Sequence, residues 1–225
     1  MKFFRGIAVP GDKAMSIVSN IRSNGLASSE GTWKMVHEHP GDLAALHVKP
    51  DLTVTDTRPG TRQLSVVCAC GDKAGALYYA HSHNRTAKND TPILMEFLAE
   101  PSNSAIDGKD FLYTAFQLGD PERARLFLER CFGSAILKYA DRAWSSEDQS
   151  YRIAQCDLAI HDPDVVQAHH ANQLVLAGRY RTVFRSAFTI ALPVGPAAII
   201  DVLTPTEPIL LPHPDVRLRE ILLDK

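Results

Sequence analysis

The pattern of apolar and polar residues predicts a strand at the start of the chain and a helix directly after it. Residues 2–8 form a short apolar-rich run that ends at Pro10 and Gly11, as a strand followed by a turn does. Asp12 can cap the next segment, which keeps helical spacing until Gly25. The apolar residues at that spacing are Ala14, Ile17, Val18 and Ile21.

Two more strands, with a helix between them, are predicted further along. Residues 64–70 and 92–98 are apolar runs typical of strands, and residues 73–83 show small and aromatic residues at helical spacing. Residues 28–62 are rich in Gly, Pro, Asp, Thr and His, which predicts a long loop with a short helix around residues 33–38. A loop of this length inside a compact domain is often functional.

The second half of the chain mixes helical and strand patterns. Residues 121–139 begin with Pro and carry apolar residues at helical intervals, which predicts a helix. Residues 151–160 are predicted to form a strand. The remaining β segments are predicted at residues 174–177, within 180–192 and at 197–203. Short strands with two or three helices predict a single α+β domain over residues 1–225.

Composition excludes several classes of protein and names no function. Hydrophobic residues make up 45% and charged residues 22% of the chain, so neither a disordered nor a fibrous protein is expected. The net charge of -2 argues against a broad basic surface for nucleic acid or acidic lipid. No run approaches the ~18–20 apolar residues of a membrane span. With no signal-peptide pattern and four cysteines without C-x-x-C spacing, we expect a cytoplasmic protein, or one delivered into a target cell's cytosol.

The most informative feature is the order of five short segments along the chain. They are Phe4-Arg5-Gly6, the run Val66–Cys70, the helix with Tyr78 and Tyr79, the strand at 92–97, and Asn172-Gln173 with the apolar residues that follow. This order resembles the ADP-ribosyltransferase family, whose members transfer ADP-ribose from NAD to a macromolecule. The resemblance covers nearly the whole chain apart from an insertion around residues 99–168. Its single motifs are degenerate, so its specificity lies in their order and spacing.

The resemblance implies an α+β fold with a split two-sheet core, helices outside it, and an NAD cleft between the sheets. It implies that Arg5 holds phosphate or ribose oxygens of NAD bidentately and that Gly6 lets the backbone approach the nicotinamide carboxamide. Cys68 stands on the second core strand in a cofactor-binding position, where some members carry Ser-Thr-Ser instead. Tyr79, with Tyr78 as its neighbour, is expected to stack on the cationic nicotinamide ring, which is worth ~1–2 kcal/mol.

The family places a catalytic Glu at the start of the late strand, and Gln173 occupies that position here. Gln can still bond to the ribose 2′-hydroxyl, but it brings no charge to an oxocarbenium-like transition state, which commonly costs ~10²–10³ in rate. Three explanations stay open. The chain is an inactivated variant, or a natural weak or non-enzymatic member, or another carboxylate serves. Candidates for such a carboxylate are Glu129, Glu147 and Glu207.

The acceptor of ADP-ribose is left undetermined between protein and nucleic acid. Ala171 stands two residues before Gln173, where protein-arginine modifiers carry Glu and guanine or asparagine modifiers tend to carry Gln. Arg179, Arg181 and Arg185 form either a contact for phosphates or a solvated face. The resemblance also implies a toxin, toxin–antitoxin or phage-defence effector, with an antitoxin or immunity protein as partner and no membrane.

Two other classes of function are the alternatives. One is a module that binds NAD or nucleic acid without turnover, which Gln173 favours; the other is a metal-dependent nuclease or hydrolase. The histidines at 37, 39, 81, 83, 169 and 170 lack the spacing of a zinc site, so they are expected in loops and no metal site is predicted. A nucleophile at Cys68 or Cys70 has no positional signature, and Asp162-Pro163-Asp164 is predicted to be a turn.

Overall fold

The computed structural model describes residues 1–27, 66–107, 109–117, 121–177, 183–185, 187–208, 210 and 213–217. The strands are β1 (Lys2–Pro10), β2 (Val66–Cys70), β3 (Asp90–Leu98), β4 (Ser104–Ile106), β5 (Val175–Ala177), β6 (Val183–Arg185), β7 (Ala187–Ala191), β8 (Ile199–Leu203) and β9 (Val216–Arg217). The helices are α1 (Ala14–Asn24), α2 (Lys73–Tyr78), α3 (Lys109–Gln117), α4 (Pro121–Phe132), α5 (Leu137–Trp144), α6 (Gln149–His161) and α7 (Pro163–Asn172). The predicted loop at 28–62, with its short helix, lies outside the described residues.

The strands form two sheets, so the expectation of a mixed α+β fold is confirmed. The larger sheet has the strand order β4-β7-β2-β1-β3-β8, and each of its pairings is antiparallel. The smaller sheet has the order β6-β5-β9, in which β5 and β9 run parallel. In the part of the chain that the structure describes, no helix has the length and apolar character that a membrane span requires.

The main core lies between the larger sheet and the helices. Phe3, Phe97 and Phe188 from the sheet are fully buried, and so are Phe111 and Phe132 from α3 and α4. The region at 99–168, which the resemblance treats as an insertion, supplies β4, α3 to α6 and most of α7 to this core. A second, smaller cluster forms where α2 covers β1 and β2, and it includes one residue of β3. It contains Cys70, Ala76, Leu77 and Leu94.

Short local signals begin and end several of these elements. Gly25 ends α1 with a φ of 74°, a backbone conformation that favours glycine. Asp72 begins α2, since its Oδ1 accepts a hydrogen bond of 2.9 Å from the Gly75 N–H. Helix α2 continues into a π-helical turn, Tyr79–His83, so the helix predicted at residues 73–83 is confirmed.

Three predictions for the second half of the chain are wrong. The strand predicted at 151–160 is helix α6, which Asp148 caps by accepting from the Ser150 and Tyr151 N–H groups. The helix predicted at 121–139 is two helices, α4 and α5, because Gly133 breaks it with a φ of 76°. The expected turn at 162–164 is the start of α7, where the Asp162 carboxylate accepts from the Asp164 N–H.

Four of the histidines expected in loops lie in helical segments: His81 and His83 in the π-helical turn, and His169 and His170 on α7. His169 is buried, and its Nδ1 lies 2.9 Å from the carbonyl oxygen of Cys131, so the neutral ring carries its proton on Nδ1. His170 packs edge-on against Phe3, and its Nε2 lies 2.7 Å from the Lys2 carbonyl oxygen. Both rings therefore join α7 to the rest of the core.

Candidate functional site

The larger sheet is split between its two central strands. β1 pairs with β3 along its whole length, and β2 pairs with β7 along its whole length. Among the described residues of β1 and β2, the pair Phe4↔Cys70 is the one register position that the two strands share. Because β1 and β2 diverge beyond that pair, a cleft of about 320 Å³ opens between them. Its volume lies at the lower end of the range for small-molecule sites.

The cleft brings together four of the residues that the sequence predicts for the cofactor. Arg5 and Gly6 line it from β1, Cys68 lines it from β2, and Tyr79 lines it from the turn after α2. The other lining residues are Phe4, Ala69, Cys70, Asn84, Asp107 and Ala187. Described residues of the smaller sheet do not line it. The cleft therefore lies within the split larger sheet, which differs from the expected position between two sheets.

Arg5 spans the split. Its Nη1 donates a hydrogen bond of 2.6 Å to the carbonyl oxygen of Cys68 on the opposite strand. Among the described residues this is the hydrogen bond that its guanidinium makes, so further N–H donors remain for a ligand. Burial lowers the pKa of Arg5, yet an arginine stays charged at neutral pH. A cation in this half-buried place suits an anionic group of a ligand.

Gly6 allows α2 to lie directly on β1. A Cβ added at Gly6 would stand 1.8 Å from the Ala76 carbonyl oxygen and 2.8 Å from the Ala80 nitrogen. Glycine is expected at this position so that NAD can approach the backbone closely. The structure gives another reason for it, because any side chain at position 6 would overlap the helix backbone. The Gly6 carbonyl still faces a polar partner, since the Asn84 Nδ2 donates to it at 2.8 Å.

Of the two adjacent tyrosines, Tyr79 lines the cleft and Tyr78 is outside the lining. Their rings meet edge to face, with centroids 5.8 Å apart and planes at 75°. Burial, helped by nearby acidic groups, raises the pKa of Tyr79 to about 12. The Tyr79 hydroxyl is therefore neutral at physiological pH, and its ring is held by its neighbour.

The two cysteines of β2 are unsuited to act as nucleophiles at neutral pH. Cys68 is exposed to the cleft and Cys70 is buried, and all four cysteines are free thiols. Burial raises the pKa of both thiols, and the negative charge of Asp107 adds to this effect. Since the thiolate is the reactive form, this environment disfavours reaction at either sulfur at neutral pH.

Two polar residues of the cleft, Asn84 and Asp107, are not indicated by the sequence pattern. Asn84 follows the π-helical turn, and its backbone N–H donates to the Tyr79 carbonyl at 2.9 Å. Asp107 directly follows β4, and its N–H donates to the Ala187 carbonyl at 2.8 Å. Neither lies in a recognisable motif. Asn84 stands in a predicted turn, and Asp107 stands in the segment that the resemblance treats as an insertion.

Gln173 lies outside the residues that line the cleft. It ends α7 in the left-handed conformation, with φ 55° and ψ 22°. Its Nε2 donates to the carbonyl oxygens of His170 at 2.8 Å and Gly71 at 3.2 Å. These contacts join the end of α7 to the turn after β2. They use the amide as a donor, a role that an ionised carboxylate cannot fill.

We expect Gln173→Glu to lower the free energy of unfolding by about 1 kcal/mol. The exchange loses both donated hydrogen bonds and turns a carboxylate towards two carbonyl oxygens. Urea unfolding at pH 7 measures this change. Gln167→Glu makes the same exchange at an exposed position of α7 and serves as the control. An unchanged stability for Gln173→Glu, with a gain of NAD cleavage, would favour the inactivated-variant explanation.

The three carboxylates that the sequence offers as alternatives to Gln173 do not line the cleft. Glu129, Glu147 and Glu207 are exposed and outside its lining. Arg185 lies on β6, and Arg179 and Arg181 lie outside the described residues. Among the described residues no three His, Cys, Asp or Glu side chains come close enough together to hold one metal ion. The metal-dependent alternative therefore gains no support here.

Comparisons with known proteins identify no relative of this chain. No protein-family model, no curated protein and no solved structure matches the chain. The geometry of the cleft and the sequence pattern are therefore the two sources of a functional proposal.

Proposed function

We propose that the cleft between β1 and β2 binds NAD, and that the protein is a mono-ADP-ribosyltransferase that transfers ADP-ribose from NAD to a macromolecule. One observation carries the proposal. Arg5, Gly6, Cys68 and Tyr79, which the family resemblance assigns to NAD, come from three separate elements and line one cleft. The four residues share only their order in the sequence, and they lie together in space. An accidental match to the family pattern would not bring them together.

The cation of the cleft supports binding of the phosphate or ribose end of NAD. Arg5 is anchored at one nitrogen by the Cys68 carbonyl, so its guanidinium is oriented before a ligand arrives. A charge-assisted hydrogen bond to a phosphate is stronger than a neutral one and is bidentate where the fork of the guanidinium allows it. Arg5 is expected to hold the pyrophosphate or the ribose oxygens beside it.

The neutral groups of the cleft support binding of the nicotinamide end. The Gly6 carbonyl accepts an N–H from the Asn84 carboxamide, and the nicotinamide carboxamide presents the same kind of donor. The Tyr79 ring supplies an aromatic face for the cationic pyridinium. Because Tyr79 lines the cleft and Tyr78 supports its ring from the side, we assign the stacking role to Tyr79.

The proposed acceptor is a protein or a nucleic acid, and the proposed biological role is that of a toxin or defence effector with an antitoxin or immunity protein. These parts of the proposal come from the family resemblance. They are tested by supplying a cell extract as acceptor and NAD labelled in its adenylate moiety. Treatment of the labelled product with protease or nuclease then identifies which class of macromolecule carries the label.

Calorimetric titration with NAD tests the binding step. We expect the wild-type chain to bind NAD and Arg5→Ala to bind it about 10–100-fold more weakly, because a hydrogen bond to a charged group contributes about 1.5–3 kcal/mol. Arg5→Lys keeps the charge and loses the planar fork, so its affinity should lie between the two.

Arg125→Ala is the matched control for this titration. Arg125 lies on α4 and pairs with Asp141 on α5, away from the residues that line the cleft. Its loss should leave the affinity for NAD unchanged. Absence of NAD binding by the wild-type chain would contradict the proposed function, and equal affinity of Arg5→Ala and wild type would contradict the assigned position of NAD.

A module that binds NAD without turnover is the second candidate. It is favoured by the position of Gln173, since the residue that aligns with the family's catalytic Glu is neutral and bonded outside the cleft. The two candidates differ in one measurement. Saturable NAD binding without release of nicotinamide, in the presence of a cell extract, would indicate the binding module.

A further inference from the structure

Asp107 is the carboxylate of the cleft. Among the described residues that line the cleft, it is the one acidic side chain. The carboxylates considered from sequence, at positions 129, 147 and 207, are outside the lining. If a reaction develops positive charge in this cleft, Asp107 is the lining residue whose negative charge can stabilise it.

The backbone holds Asp107 in place beside β7. The preceding strand β4 is buried and pairs with β7 from Ser104↔Ile190 to Ile106↔Phe188. The Asp107 N–H extends this pairing by donating to Ala187, a residue that in turn pairs with Cys70 of β2. The Asp107 side chain is exposed to the cleft from the end of a rigid strand. Such an anchor suits a group that must act at a defined position.

The charge of Asp107 reaches both walls of the cleft. It raises the pKa of Cys68 on β2 and of Tyr79 on the turn after α2. Arg5 acts on Cys68 in the opposite direction. Among the described residues that line it, the cleft thus has one anion, Asp107, and one cation, Arg5, together with the aromatic ring of Tyr79. This arrangement matches a ligand that carries phosphate at one end and a cationic ring at the other.

We propose that Asp107 is the catalytic carboxylate that stabilises the ribosyl cation when the nicotinamide bond of NAD breaks. This inference rests on the proposed function. In the reaction the bond between ribose C1′ and the nicotinamide nitrogen breaks, and its electron pair goes to the nicotinamide, which leaves neutral. The oxocarbenium charge that remains on the ribose faces the Asp107 carboxylate. A lone pair of the acceptor then forms the new bond to C1′, and the acceptor's proton goes to water.

Two measurements on the same variants test this role, the affinity for NAD and the rate of nicotinamide release in the presence of a cell extract. Asp107→Asn keeps the shape of the side chain and removes its charge. We expect it to bind NAD within a few-fold of wild type and to release nicotinamide ~10²–10³-fold more slowly. Asp107→Glu keeps the charge and should retain more activity than Asp107→Asn.

Asp12→Asn, at an exposed carboxylate outside the cleft, is the matched control and should release nicotinamide at the wild-type rate. Thermal unfolding establishes that each variant is folded; if Asp107→Asn unfolds early, Asp107→Ser replaces it with the same expected loss. Wild-type release by a folded, uncharged variant at position 107 would overturn the role of Asp107 and leave NAD binding intact. Failure of the wild-type chain to bind NAD would instead overturn the proposed function itself, and with it this inference.

Discussion

Gly6→Ala is expected to lower the free energy of unfolding by about 3 kcal/mol. The new Cβ would stand 1.8 Å from the Ala76 carbonyl oxygen and 2.8 Å from both the Ala76 carbonyl carbon and the Ala80 nitrogen. All three atoms belong to the backbone of the helical segment over β1, so no side-chain rotation can relieve the overlap. Overpacking of a well-packed core commonly costs 1–3 kcal/mol, roughly, and a backbone clash lies at the upper end.

The variant should also lose the cleft, because α2 and the turn that carries Tyr79 must move away from β1. For a chain of this length, 1 kcal/mol corresponds to about 2–4 °C in melting temperature, so we expect a decrease of roughly 6–12 °C. Differential scanning calorimetry measures this decrease, and titration with NAD measures the loss of the site.

Gly195→Ala provides the matched control. A Cβ at Gly195 meets no atom within 4 Å, and its φ of -65° is one that alanine readily adopts. This exchange should leave the melting temperature unchanged or raise it slightly. A Gly6→Ala variant with the melting temperature of wild type would show that α2 does not lie on β1 as described.

Stability is expected to fall by up to about 3 kcal/mol between pH 6.5 and pH 4, because His169 is buried as a neutral ring. Burial is the largest cause that lowers its pKa to about 4, the charge of His170 adds to it, and the bond to the Cys131 carbonyl opposes it. The unfolded chain takes up a proton near the ordinary pKa of about 6.5, whereas the folded chain does not. Acid therefore favours the unfolded state throughout this interval.

Urea unfolding at several pH values measures this dependence. In His169→Phe the ring can pack against Phe132 and Phe188, whose centroids lie 4.9 Å and 5.4 Å from that of His169. The Cys131 carbonyl keeps a donor in this variant, since the Asn172 Nδ2 bonds to it at 2.5 Å. We expect the fall in stability between pH 6.5 and pH 4 to be much smaller in His169→Phe. The exposed control His213→Gln should behave as wild type; a His169→Phe variant with the full wild-type slope would contradict the assignment.

The elements that the sequence predicts correctly are those with a local end and one apolar side. Helix α1 has both, with Gly25 as its end and Val18 and Ile21 on its buried side. The cap expected from Asp12 is wrong, because Asp12 lies in a 3-10 turn and no side chain caps that turn or α1. Helix α6 has no single apolar side, because its buried residues are distributed around the helix. They are Ala154, Gln155, Cys156, Asp157, Ala159 and Ile160. A helix packed on several sides has little periodicity, so the pattern at residues 151–160 suggested a strand.

The residues of the candidate site also fall into those that the sequence predicts correctly and those that it does not. The order of successive elements points to Arg5, Gly6, Cys68 and Tyr79, and the structure brings these four residues to one cleft. The same order points to Gln173, but its side chain bonds to carbonyls outside the lining. Gln173 ends α7, two residues before β5 begins at Val175, and its amide is held by Gly71, which lies 102 residues away in the sequence.

The sequence by itself determined where the first strands and helices lie, and the family resemblance proposes some of their residues for a dinucleotide site. The positions of these elements depend on contacts within a few residues, such as the cap of Asp72 on α2. Only the tertiary structure decided where β1 and β2 separate and which carboxylate stands in the gap. Asp107 reaches the cleft because the short strand β4 pairs with β7, which lies far from it in the sequence. Such a pairing depends on burial across the whole sheet, and no local pattern around Asp107 encodes it.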